Sequence, residues 1–351
     1  MADGTNKPFE LHCPLPSDGA GRVTMAHGGG GRMTERLIED VFLPAFGGAE
    51  LGRRHDGAYL PQSRRRLAVT TDSFVVKPLL FPGGSIGGLA VHGTVNDLAM
   101  CGARPLYLTA GFILEEGLEI RLLRGIVDDM ARAAKESGVE IITADTKVVE
   151  RGKGDGVYIN TSGIGECLIG ETGPWRVEPG DAVIVSGDLG RHGIAILSVR
   201  EGIEFTTRIE SDAMALWPAV AALIDAGVEI HCLRDLTRGG LSSALNEIAR
   251  ARGVEINIDE ASIPVSAAVR GACEFLGLDP LYVANEGRFC VIVPGGEAAR
   301  TVEALKASGL AAEACVIGAL REGRSRVVMK TRIGGRRIVD MLSGEQLPRI
   351  C

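Results

Sequence analysis

Aromatic side chains are scarce in this 351-residue chain, at 4% of positions, so stacking platforms for flat ligands are a poor expectation. No run of 18 apolar residues occurs, which argues against a membrane-spanning helix. Met1–Glu10 lacks the apolar centre of a secretory signal. The eight cysteines are scattered without a Cys-x-x-Cys pair, so a structural zinc site is not expected. Reduced thiols of this kind suit a cytoplasmic protein. Long basic runs are missing too. Arg64-Arg65-Arg66 is the densest patch in a chain of net charge −7, and nucleic acid is a poor expectation as partner.

What is abundant is glycine, 48 residues of it, gathered in particular loops. The length suffices for two cores. Residues 1–21 read as a loose polar leader, 22–178 as a first domain, 179–342 as a second and 343–351 as a tail; the boundary is put at the Glu178-Pro179-Gly180-Asp181 turn. Leu67–Thr70 reads as a strand ending at Asp72, and 87–101 as a helix closed by Gly102. Pro105–Leu114 reads as a strand, and Ile120, Leu123, Val127, Met130 and Ala134 mark a helix over 119–137. Val139–Thr143 reads as a strand leading to Asp145. Beyond the boundary, helices are expected near 193–200, 212–225 and 240–252, and strands near 182–186, 228–233, 254–258, 288–294 and 314–318. Two mixed α/β domains follow from that alternation.

Asp72 and Asp145 each follow a strand and Asn96 and Asp97 share the middle of the 87–101 helix, and carboxylates so placed can hold a hard cation such as Mg²⁺ against phosphates. Any one Asp alone reads first as a cap or turn residue, and it is the set of three within 75 residues that makes the metal-phosphate reading competitive. Three glycine clusters, His27-Gly28-Gly29-Gly30-Gly31, Gly83–Gly88 and Arg238-Gly239-Gly240, offer bare backbone N–H groups to phosphate oxygens. None continues as a Walker A loop, and a flexible turn is the plain alternative. The last residue, Cys351, follows Leu347-Pro348-Arg349-Ile350 on an aperiodic segment, and its sulfur is expected to be accessible. A free thiol near pKa 8.5 is only a few per cent thiolate, roughly, at neutral pH.

With these residues in view the chain resembles the HypE family of hydrogenase maturation proteins. The resemblance rests on Ala26–Gly31, Thr71-Asp72-Ser73, Phe81–Gly87, Gly93-Thr94-Val95-Asn96-Asp97, Gly111–Gly117 and Asp145-Thr146-Lys147-Val148-Val149. Arg234–Gly240, Ala284-Asn285-Glu286-Gly287 and the closing Pro348-Arg349-Ile350-Cys351 complete it. It runs from about Val23 to Cys351. It implies a two-domain α/β fold like that of aminoimidazole ribonucleotide synthetase, with N-terminal domains pairing in a barrel-like dimer. It also implies ATP-dependent dehydration of an S-carboxamide on Cys351 to an S-cyanide, the cyanide serving the iron centre of [NiFe]-hydrogenase.

By that resemblance Glu286 is the base and Lys147 orients or relays, with Cys351 as carrier. Asp72, Asp97 and Asp145 take Mg²⁺, with Asn96 a weaker candidate; Gly28–Gly31 and Thr237–Gly240 hold the phosphates of ATP, beside His27. The implied partners are a second copy of the chain, the carbamoyltransferase HypF as donor and the HypC–HypD complex as acceptor. A small-molecule phosphotransferase of the same superfamily, or a scaffold that only delivers a modified cysteine, are the competing readings.

Overall fold

Positions 68, 70 and 74 are buried while 71 and 73 are open, the period-2 signature of a strand covered on one face. In the computed structural model, which describes residues 31–37, 39, 58–60, 66–203, 205, 207–341 and 349–351, that strand belongs to a five-stranded sheet. The sheet contains β1 (Ala58–Leu60), β2 (Leu67–Phe74), β5 (Ala103–Glu115), β6 (Glu140–Val149) and β7 (Val157–Cys167), in the order β1-β2-β7-β5-β6. A short hairpin, β3 (Leu80–Phe81) with β4 (Gly84–Ser85), precedes the main helix. Only β5 and β6 run parallel, joined by the helical crossover that such a pair requires.

One face of this sheet is covered. Helix α2 (Ile86–Met100) is capped by the Ser85 hydroxyl, which accepts the Gly88 N–H, and is apolar nearly all round because it is enclosed on all sides. Helix α3 (Ile120–Glu136) packs on it, and Gly87 makes the approach possible: a Cβ there would stand 2.0 Å from the carbonyl oxygen of Ile126. The other face, carrying Thr71, Tyr107, Ile113, Asn160 and Asp145, is open.

The second domain holds a seven-stranded sheet, β8 (Ala182–Val185), β9 (Cys232–Asp235), β10 (Glu255–Asp259), β11 (Phe289–Val293), β12 (Cys315–Arg321), β13 (Arg326–Lys330) and β14 (Arg336–Val339). Its order is β14-β13-β10-β12-β8-β11-β9. Strands β8 and β11 are buried at every position, which is why they read as unbroken apolar runs. Helices α4 (Arg191–Arg200), α5 (Trp217–Asp225), α6 (Gly240–Arg252), α7 (Ala267–Leu276) and α8 (Ala298–Ala307) accompany it; α1 (Arg32–Leu37) is a short piece near the start of the chain.

Four expectations change, one of them the strand expected near 228–233, which begins only at Cys232 and runs to Asp235. Strand β2 runs on through Asp72, and β6 runs on through Asp145 and Lys147, so these residues lie inside strands rather than after them. The helix expected from 212 starts only at Trp217, where Pro218 occupies the first turn; residues 208–216 form an irregular segment instead. Among the described residues no helix is long and apolar enough to cross a membrane.

Candidate active site

The last three residues lie along the 75–77 segment, where β2 leaves the sheet. Val75 N–H donates to the Cys351 oxygen at 3.1 Å and Lys77 N–H to the Arg349 carbonyl at 3.2 Å, an antiparallel pairing. Ile350 and Cys351 enter the apolar cluster formed by Phe74, Val76 and α2, joined from the second domain by Ile196 and Ala284. Cys351 is therefore only 9% exposed, which corrects the expectation of an accessible sulfur. Residues 342–348, with Leu347 and Pro348, lie outside the described residues.

Around the thiol stand charges from both domains. Burial pushes the Cys351 thiol up to about 12, the positive Arg238 opposing and Glu286, Asp72 and Asp235 reinforcing the shift. Arg238 sits at the exposed rim, and the sulfur and the carboxylates of Asp72, Glu286 and Asp235 favour its charged form. Arg349 does not supply this compensation; it pairs instead with Asp155 at 2.8 Å.

Glu286 is 3% exposed, and its Oε1 is buried without a hydrogen-bond partner. Burial, then the carboxylates of Asp235, Asp72 and Asp212, hold its carboxyl well above the usual range. Its backbone is fixed rigidly. Asp212 Oδ1 accepts the N–H groups of His192 and Glu286 at 3.1 and 3.3 Å, and Oδ2 accepts that of Gly287 at 3.2 Å. Only glycine fits at 287, since a Cβ would lie 1.8 Å from the Asp212 carbonyl oxygen.

Asn96 is not free to bind a ligand. Its amide nitrogen donates to the carbonyls of Met214 and Glu286 at 3.0 and 3.2 Å, and its oxygen accepts Leu216 N–H at 2.7 Å. The residue ties α2 to the segment carrying Glu286. Asp72 and Asp97 share the covered face: Asp97 Oδ2 accepts the Thr70 hydroxyl at 2.7 Å, and Asp72 Oδ2 lies 3.7 Å from the place of a Cβ on Gly93, one turn earlier on α2. Asp72 is half-buried, and its carboxyl is raised by desolvation against the opposing charge of Arg238.

Asp145 and Lys147 are elsewhere. Asp145 pairs across β5 with Gly111 and from there with Asn160 on β7, all on the open face. Three interstrand steps separate β6 from β2, roughly 14 Å. Asp145 and Lys147 are both 71% exposed and bonded to each other at 2.7 Å. Within one chain the structure therefore brings Cys351, Glu286, Arg238 and Asp72 to one place, with Asp97 on the same side of the sheet, and leaves Asp145 and Lys147 out of it. Among the described residues no three His, Cys, Asp or Glu side chains converge as a ready metal cage. Asp72 and Asp97 still suit Mg²⁺, which takes one or two carboxylates together with water and phosphate oxygens.

Of the glycine loops, His27–Gly30 lie outside the described residues. Gly31 is buried at the start of α1, which leans on the second domain through Arg32–Asp340 and Glu35–Arg250 pairs. Thr237–Gly240 turns from β9 into α6, with Gly239 and Gly240 at φ 78° and 57°. A Cβ on Gly240 would meet the Leu281 and Val283 carbonyls at 2.6 and 2.7 Å, so this loop packs directly under the strand of chain leading to Glu286.

Three residues in the site escaped sequence reading: His192, Asp212 and Arg200. His192 is fully buried, with Nε2 2.9 Å from the Ile350 carbonyl and Nδ1 2.8 Å from the Ser211 hydroxyl. Arg200 donates to the carbonyls of Lys77 and Arg349 at 2.9 and 2.8 Å. A lone histidine and a helix-end arginine carry no sequence signal for such roles.

The chain matches the models for AIR synthase related protein, N-terminal domain, over residues 54–167, and AIR synthase related protein, C-terminal domain, over 178–330. A solved HypE–HypF complex contains a chain 46% identical to this one, aligned at TM-score 0.84 over 87% of this chain and 99% of that one. HypE in complex with ATP aligns at TM-score 0.80 with 47% identity, covering 93% and 99%. Carbamoyl dehydratase HypE of Azotobacter vinelandii is 53% identical over 333 residues, 94% of this chain and 98% of that one. The chain belongs to the HypE family of carbamoyl dehydratases.

Proposed function

We propose that this enzyme dehydrates an S-carbamoyl group on Cys351 to an S-cyano group with ATP as co-substrate, the product serving as the cyanide ligand in [NiFe]-hydrogenase maturation. The observation that carries the reading is the orphaned, buried Oε1 of Glu286, whose carboxylate acts on the buried Cys351 sulfur. A thiocarbamate amide brings N–H donors to a site that has an unused acceptor, and it is neutral, so it can lie among carboxylates that disfavour a thiolate.

The amide oxygen is a poor leaving group as it stands. It attacks the γ-phosphorus of ATP; the bond to ADP breaks, and nitrogen gives up one proton to an oxygen of the transferred phosphoryl group as the C=N bond forms. Phosphate then departs with the C–O electron pair while the second N–H proton passes to Glu286, leaving –S–C≡N. Arg238, beside sulfur and carboxylates, opposes the negative charge gathering on the transferred group. Burial of Ile350 and Cys351 keeps water from the activated intermediate.

Mg²⁺ would neutralise the phosphate charge, held by Asp72 and Asp97, with phosphates on Gly28–Gly31 and the Thr237–Gly240 turn. His27 precedes Gly28 in the sequence and would border the phosphates. The domain division of the reading is a leader to 21, an ATP-binding domain from 22 to 178, a second domain to 342 and a tail to 351. Asp145 and Lys147 fit the same chemistry only in a homodimer in which the partner's Asp145 and the partner's Lys147 reach the side of this chain that carries Asp72 and Asp97. Exposed Tyr107 and Ile113 on the open sheet face are apolar surface that a homodimer could cover. HypF, seen with the HypE relative, supplies the carbamoyl group, and HypC–HypD accepts the cyanide.

The test is intact mass of the protein incubated with ATP, Mg²⁺, carbamoyl phosphate and HypF. A carbamoyl adduct on Cys351 that loses one water only with ATP is the expected result. Equal behaviour of wild type and Cys351→Ala would overturn it.

A further inference from the structure

One face of α4 carries His192, Ile196 and Arg200 at positions i, i+4 and i+8, and all three meet the tail. Ile196 packs in the cluster that receives Ile350 and Cys351. Arg200 and His192 take the carbonyls of Arg349 and Ile350, while the 75–77 segment takes those of Arg349 and Cys351. Every backbone carbonyl of the last three residues is thus engaged, and the tail lies between a strand extension and a helix.

The tautomer of His192 follows from its partners. A carbonyl can only accept, so Nε2 carries the hydrogen toward Ile350, and Nδ1 must then accept the Ser211 hydroxyl hydrogen. Ser211 Oγ in turn accepts the Ala213 N–H at 3.0 Å. The next residue is Asp212, which fixes the N–H groups of His192, Glu286 and Gly287. One rigid segment therefore sets both the donor that receives the tail and the backbone of Glu286.

We infer that α4 is a clasp for the inserted tail, with His192 the positioning residue that seats Cys351 against Glu286. This rests on Cys351 being the carrier of the reacting group. The clasp reads backbone carbonyls and so holds the tail whether the sulfur is free or carbamoylated. A free tail loses these bonds together, which makes insertion a defined state.

The full-length protein would be treated with iodoacetamide, and labelling of Cys351 followed by peptide mass mapping. His192→Ala is expected to label about tenfold faster than wild type, the effect of losing one buried hydrogen bond. Arg200→Ala, at the half-exposed end of the helix, should label severalfold faster, roughly. His192→Gln retains an N–H donor and should restore slow labelling. Unlabelled Cys232 and Cys290, buried in the second domain, report intact folding; if His192→Ala labels them, Arg200→Ala decides.

On pre-carbamoylated protein the clasp variants should lose turnover with an unchanged KM for ATP. Wild-type labelling rates in both Ala variants would overturn the clasp. Faster labelling in a protein whose wild-type adduct never dehydrates would keep the clasp and remove the proposed function.

Discussion

The side chain of Asn96 donates to the backbone carbonyl of Glu286 at 3.2 Å, linking the helix of the first domain to the proposed base on the second. Its oxygen meanwhile holds the Leu216 amide. Replacement by Ala leaves three backbone groups buried without partners. Asn96→Ala should cost about 3 kcal/mol, measured as a lowered denaturation midpoint, and should slow dehydration because the Glu286 loop loosens. A loss of stability with undiminished single-turnover rate would separate the two effects and argue against Asn96 supporting the site.

Gly287 is the tightest backbone approach in the site. Gly287→Ala drives a Cβ into the Asp212 carbonyl, and relief requires moving the loop that holds Glu286 and His192. The expected cost exceeds about 3 kcal/mol. A midpoint shifted by less than about 1 kcal/mol would mean that the 212 and 287 segments part easily.

Glu286 should leave a signature in pH. Its carboxyl is raised in the folded protein by burial and three neighbouring carboxylates. The folded state therefore binds its proton more tightly than the unfolded chain does. Stability from this group is complete below the ordinary glutamate pKa and is lost as pH rises through the raised value. Glu286→Gln should flatten the decline in stability of the nucleotide-free protein toward alkaline pH, measured by denaturant titration. The same variant should stall at the carbamoyl adduct, and the wild-type dehydration rate should rise with pH as the base ionises. Unimpaired dehydration in Glu286→Gln would remove it as the base.

The proposed homodimer has its own test. Asp72→Asn and Asp145→Asn chains should each be inactive alone. Mixed at random, half the dimers carry both variants and half of their sites are whole, so about a quarter of wild-type activity should return. No recovery on mixing would place Asp72 and Asp145 outside a shared intersubunit site.

The amino-acid sequence by itself settled the elements whose periodicity packing merely uses: the buried strands β8 and β11, α3 with its apolar spacing, and the glycine-closed end of α2. The motif series with its terminal cysteine carried the family, and Glu286 came with it. Where a strand stops was not local information. β2 and β6 extend through Asp72 and Asp145 because neighbouring strands continue to pair with them.

Which face each acid takes was likewise invisible. A period of two assigns sides only once the covering helix is known, and that helix puts Asp72 and Asp97 on one side of the sheet and Asp145 and Lys147 on the other. Only tertiary structure turned Asn96 from a ligand candidate into a tie between domains, since its partners are backbone groups about 120 and 190 residues away. It also converted Cys351 from an accessible thiol into a buried one, because the groove that receives it is made by β2, α4 and the Glu286 loop, three segments that meet only in the folded chain.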